Sequence, residues 1–218
     1  MEKSRRFIIS LLFLSVIVSG YAQDVKTDEP FQVQIQLPLM RHVEIMNDYV
    51  SFMADKSKSQ ETRYYYRKKA LPLFIGKGYE YEENGVTKRG VMMQTTSVNR
   101  PGVVTNTLLR DYFSRLVNLR YSKVNITSTE IAGMKVSDLK KVDSSDNKTL
   151  YMCTCQYVQY YRFDGGLDRF DNAYVEKSTK RIVCYVELDE TEIDATGRPN
   201  CEYKILLGDI ESISTERL

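Results

Sequence analysis

An alternating run from Leu150 to Phe163 does most to limit what this chain can fold into. Tyr151, Cys153, Cys155, Tyr157 and Tyr161 fall on one phase, and Met152, Thr154, Val158 and Tyr160 on the other. Successive side chains of a strand point to opposite faces, so the run predicts one long strand with large side chains on both. Such a strand needs cover on both sides, with helices on one and a partner or a further layer on the other. The neighbouring segments supply more strands. Asp164-Gly165-Gly166 turns the chain, and Phe170 to Val175 with Lys180 to Leu188 reads as the next strand, interrupted near Ser178. Thr196-Gly197-Arg198-Pro199 turns again into a final strand, Cys201 to Leu207, so the last third is all β.

The helices that could cover this sheet lie earlier. Pro30 and Pro38 bound an alternating stretch, Phe31-Val33-Ile35-Leu37, which reads as an edge strand or an extended lead-in. Leu39, Val43, Met46, Val50 and Met53 then recur at helical spacing, with His42, Ile45, Tyr49 and Phe52 as an adjacent second stripe. Ser57 with Gln60 has the form of a capping box opening a second helix, Gln60 to about Phe74, before Pro72, Gly76 and Gly78 stop it. Tyr66, Ala70 and Leu73 mark its buried side. Arg63, Arg67, Lys68 and Lys69 mark a wet side, read as a solvated face rather than an anion grip. Tyr79 to Glu83, Asn84-Gly85 and Val86 to Thr96 predict a hairpin. A third helix is expected from about Asn106 to Tyr121, with Leu109, Tyr112, Phe113, Leu116 and Leu119 inside, followed by a strand at Val124-Asn125-Ile126.

The first residues read as an export address. Lys3, Arg5 and Arg6 precede an apolar stretch from Phe7 to Val18, and Ser19-Gly20-Tyr21-Ala22 offers small residues before a cut ahead of Gln23. The apolar core is shorter than the roughly 20 residues of a membrane-spanning helix. Residues 1–22 are therefore expected to be a signal peptide, 23–30 a flexible lead-in and 31–218 a single domain, exported to the periplasm or beyond. The formal net charge of +2 is carried by the address, since Glu2, Lys3, Arg5 and Arg6 together contribute that surplus. A near-neutral mature chain argues against nucleic acid or an anionic membrane as partner.

Four cysteines, Cys153, Cys155, Cys184 and Cys201, permit three pairings in an oxidising compartment. Cys153 and Cys155 share a face and do not bond each other easily, whereas a cross-strand bridge to Cys184 is open; buried free thiols are the default expectation. Their spacing does not suit zinc, and His42 is the single histidine. No phosphate loop, nucleophile elbow, zinc-protease helix motif or dinucleotide fingerprint occurs, so no metal, cofactor or catalytic residue is assigned.

The order helix, helix, hairpin, helix and then long antiparallel strands resembles the nuclear-transport-factor-2-like fold, a cystatin-like α+β architecture. The residues that carry the likeness are the first helix from Leu39 to Met53, the second helix ending Lys69-Ala70-Leu71-Pro72-Leu73-Phe74-Ile75, and the strand from Tyr174 to Val183. The chain also resembles small exported proteins of Bacteroidetes that carry this fold, whose signals end in an Ala-Gln cut like Ala22-Gln23. The resemblance implies a cone, a strongly bent sheet wrapped around the helices, with a pocket inside and dimerisation across the open sheet face. His42, Tyr49, Tyr66 and Tyr112 are the pocket candidates. The expected function is a non-catalytic binding or assembly module, taking a small apolar ligand in the cone or a protein partner, a second copy included, across the sheet. The alternatives are a pocket enzyme of isomerase or lyase type using His42, and a structural subunit of a cell-envelope assembly.

Overall fold

The computed structural model describes residues 29–83, 85–100, 102–119, 123–128, 130–145, 148–164, 174–193 and 199–218. The expected signal segment, the lead-in up to residue 28, Asn84, the turns at 165–166 and 196–198, and the strand start at Phe170 lie outside them. The architecture is α+β, three α-helices and a mixed sheet of eight strands, six of which follow the last helix, and that sheet is not strongly curled, so the expected cone is not shown. Among the described residues no helix is long and apolar enough to cross a membrane.

Helix α1 spans Glu29–Ala54, so the stretch expected to be extended is helical and continuous with the helix expected from Leu39. The reason lies in Ile35. It stands four residues before Leu39, and Ile35, Leu39, Val43, Met46, Val50 and Met53 form one buried stripe, while Val33 and Leu37, its partners in the alternating reading, are exposed. Burial along a 3.6-residue period overrides the two prolines. Pro38 sits inside the helix, where its missing N–H leaves the Gln34 carbonyl without a helical bond.

Helix α2 spans Gln60–Ala70, and its N-cap is Ser59, whose Oγ accepts from the Thr62 N–H at 3.1 Å. Ser57, expected to cap it, instead donates its hydroxyl to Asp55 at 2.7 Å. The helix ends four residues earlier than its pattern suggests, in a 3₁₀ turn at Leu71–Leu73 that carries Pro72. Arg63 is also displaced from its expected wet face. It is buried, and its Nη1 donates to the Val117 carbonyl at 2.6 Å, satisfying an orphan acceptor at the end of the third helix.

Strands β1 (Tyr81–Glu83) and β2 (Val86–Lys88) form a separate two-stranded hairpin, and β3 (Met92–Thr95) turns away at Gly90 to join the main sheet. Strand β4 (Thr105–Leu108) occupies the start of the expected third helix, pairing Thr105 with Thr95 and Thr107 with Met93. Helix α3 is therefore shorter, Leu109–Val117, and buries Leu109, Phe113, Leu116 and Val117. Strands β5 (Lys123–Ser128), β6 (Lys135–Val136) and β7 (Lys140–Ser145) all pair with one edge of β8 (Lys148–Asp164). Strands β9 (Tyr174–Ile193) and β10 (Pro199–Arg217) complete the order β4-β3-β10-β9-β8-β5, antiparallel except where β10 meets β3. Strand β9 runs unbroken through Ser178; its pairing with β10 shifts register between Asn200 and Glu202, between Leu207 and Ile210 and between Ser212 and Ser214.

The core lies between α1, α3 and one face of this sheet. Met93, Ile210, Ile182 and Cys155 stand in register across four strands, and all are buried. Phe74 adds a ring from the segment after α2, edge-on to Phe113 at 6.0 Å. On the opposite face Tyr185 lies over Gly208, where a Cβ would come within 2.7 Å of the ring, and its hydroxyl donates to Glu83 of β1. Cys153, Cys155 and Cys184 are free and buried, with Cys153 directly across from Cys184.

Candidate functional site

The helix-facing side of the sheet changes character along its strands. Val186, Cys184 and Ile182 of β9 are apolar, but the next three inward positions are Lys180, Ser178 and Glu176. Strand β8 changes in step, because Tyr157, Gln159 and Tyr161 are the register partners of those three residues. Lys180, Ser178 and Glu176 are exposed by only 1%, 3% and 5%. Charged side chains reach such depth rarely and then require partners.

Above this polar floor lies a cavity of about 550 Å³. Leu116 of α3 and Leu119 just after it form an apolar wall, Ile126 of β5 continues the sheet face beside Tyr161, and the segment from Thr95 to Thr105 closes one side with Ser97, Arg100 and Val103. That segment bends at Gly102, whose φ of 77° is left-handed, and presents Arg100 and Val103 as an exposed lip.

Hydrogen bonds hold the floor in place. The Lys180 ammonium donates to the Gln94 carbonyl at 3.2 Å, and Ser97 donates its hydroxyl to Glu176 at 3.0 Å. Thr215 donates to Ser178 at 3.1 Å, and Thr96 shares hydroxyl bonds with Ser212 at 2.7 Å and Thr215 at 2.5 Å. A second chain runs from the cavity into the core. The Tyr112 and Tyr161 hydroxyls are bonded to each other, Tyr161 donates to Gln159 Oε1 at 2.6 Å, and Gln159 Nε2 donates to Asn47 of α1 at 2.5 Å. Beyond it, Asn47 Nδ2 and the Tyr157 hydroxyl are buried with no hydrogen-bond partner among the described residues.

Burial dominates the electrostatics. It pushes the Lys180 ammonium down to about 8, with no carboxylate paired to it among the described residues. It pushes the Tyr112 hydroxyl up to about 12, and those of Tyr157 and Tyr161 well above the ordinary tyrosine range. Near neutral pH the floor therefore offers the Lys180 ammonium and neutral tyrosine hydroxyls beside the Glu176 and Ser178 side chains, a set suited to orienting a polar head group.

Of the four residues proposed from sequence, Tyr112 lines this cavity; His42, Tyr49 and Tyr66 are not among its lining residues. Tyr49 and Tyr66 meet between α1 and α2, at 5.9 Å between ring centroids, with Phe52 at 4.6 Å from Tyr66. His42 is half-buried on α1, hydrogen-bonded to the Leu73 carbonyl, and burial lowers its pKa. Its Nε2 is buried without a partner. Sequence reasoning missed Lys180, Ser178 and Glu176, whose signal was the inward phase of one strand. Among the described residues no cluster of His, Cys, Asp and Glu could hold a metal ion. Comparison with known proteins finds no matching family, no matching curated protein and no matching solved structure.

Proposed function

We propose that this chain is an exported, non-catalytic binding module that holds a small amphipathic molecule in the cavity between α3, the segment joining β3 to β4, and the floor of β8 and β9. The observation that carries the reading is the pairing of an apolar wall with a buried polar floor around about 550 Å³, a volume within the range of small-molecule sites. The export pattern at residues 1–22 agrees with a module that works in the periplasm or outside the cell. The α+β arrangement, with helices packed on one face of a largely antiparallel sheet, agrees with the nuclear-transport-factor-2-like resemblance, in which the pocket lies between helices and sheet. Native mass spectrometry of protein recovered from the exporting cell tests this: a bound small molecule that Leu116→Trp excludes supports it, and an empty protein under several growth conditions refutes it.

A second reading, a pocket enzyme of isomerase or lyase type, draws on Lys180 rather than His42. A buried amine and the Tyr112–Tyr161 pair, all lining the same cavity, have the composition of a proton-transfer site. It would register as turnover abolished in Lys180→Met while a substrate analogue still occupies the cavity.

A further inference from the structure

Lys180 is the feature that a purely structural floor leaves unexplained. Lys180 is almost fully enclosed, it is one of the residues that line the cavity, and its ammonium donates to a neutral carbonyl. A buried ammonium is stabilised by a carboxylate brought against it, and among the described residues none is. Glu176 does not serve. Its backbone lies four residues along the same strand, roughly 13 Å at about 3.3 Å per residue, no ion pair joins the two among the described residues, and its carboxyl accepts from Ser97.

We propose that the cavity binds a small aliphatic monocarboxylic acid, its carboxylate seated against Lys180 and its hydrocarbon tail against Leu116, Leu119 and Ile126. This rests on the binding-module reading and names the ligand class. Each part of the site selects for one property. The single buried cation accepts one negative charge, and the Glu176 carboxylate at the other end of the floor repels a second, which disfavours diacids. A phosphate group would seek the forked donors of arginine or a cradle of backbone N–H groups, and the one arginine at the cavity, Arg100, is on the exposed lip. The apolar wall disfavours a fully hydrated acid with no tail.

Isothermal titration of the purified protein with octanoate, 1-octanol and octylamine tests this at matched tail length. Octanoate is expected to bind at least tenfold more tightly than 1-octanol, with octylamine weakest. Lys180→Met should bring octanoate down to the affinity of 1-octanol while changing that of 1-octanol less than twofold, and the retained alcohol binding also shows that the variant is folded. Equal affinities for octanoate and 1-octanol, an unchanged octanoate affinity in Lys180→Met, or no binding of any probe would each overturn the proposal. Native mass spectrometry separates that failure from failure of the broader reading. A neutral or cationic molecule found in the cavity overturns the acid and keeps the module, and an empty cavity overturns both.

Discussion

Replacing Lys180 with methionine should make the ligand-free protein more stable at neutral pH, and the gain should fade as the solution becomes alkaline. The unfolded amine titrates near 10.5 and the folded one at about 8, with burial as the sole cause. Below pH 8 both states hold the proton, and the folded state bears the whole desolvation penalty, about 3 kcal/mol. Between pH 8 and 10.5 the unfolded chain binds more protons than the folded one, so stability rises with pH. Above 10.5 both are neutral and the penalty is gone. Methionine retains an unbranched apolar stem in the same slot. It forfeits the bond to the Gln94 carbonyl, a loss of about 1 kcal/mol. The Lys180→Met protein should therefore be more stable by about 2 kcal/mol at pH 7, and by pH 10, where the wild-type penalty has shrunk to about 1 kcal/mol, the two should be indistinguishable. Urea unfolding followed by far-ultraviolet circular dichroism at both pH values measures this, since the chain has no tryptophan. Other groups titrate in both proteins and cancel in the difference. A methionine variant less stable than wild type at pH 7, or a difference that does not change between pH 7 and pH 10, would refute the claim that a charged lysine is buried there.

Three further outcomes are expected. Gln159→Leu and Asn47→Leu should each cost about 1–3 kcal/mol by stranding a buried partner, and the double variant should cost clearly less than the sum; additivity in a denaturation cycle would show that the 2.5 Å bond between them carries no coupling. Cys153, Cys155 and Cys184 should react with a thiol reagent only on unfolding, because all are buried and burial pushes the Cys155 thiol up to about 12; peptide mapping that finds any of these three labelled within minutes in the native protein would contradict this. Pro38→Ala should raise stability by about 1–3 kcal/mol, seen as a few degrees in Tm, by giving the Gln34 carbonyl its helical donor; a fall in Tm would mean that the bend itself is needed.

How far the fold could be read in advance depended on whether burial was decided locally. The phase of β8 was legible because Cys153, Cys155 and Tyr157 recur at every second position, and the structure buries all three. The stretch 31–37 was not, because Ile35 satisfies both an alternating and a helical period, and two prolines favour extended backbone when taken alone. The tie is broken by what Leu39 and Val43 pack against, which is tertiary. Helix α3 and β4 show the same thing in reverse: Asn106 to Leu108 fits the start of a helical pattern until pairing with β3 supplies a ladder.

The site was the least legible part, and for a related reason. The inward phase of β9 reads Glu176, Ser178, Lys180, Ile182, Cys184, Val186, half of it polar, and a polar half-strand taken alone belongs to a surface. It becomes a floor because α3 and the segment after β3 are carried over it from much earlier in the chain. The same remoteness hid Arg63, whose buried role exists only once the last carbonyl of α3 arrives beside α2. Local pattern and tertiary cover agree along most of this chain, and where they conflict a folded protein bears a penalty that selection would otherwise remove. Lys180 is the sharpest such conflict among the described residues, a full charge in a position that a leucine would fill more stably. Its enclosure on the cavity lining, with a neutral carbonyl as hydrogen-bond partner and no carboxylate against it among the described residues, is the geometry on which the proposed ligand and its opposite charge rest.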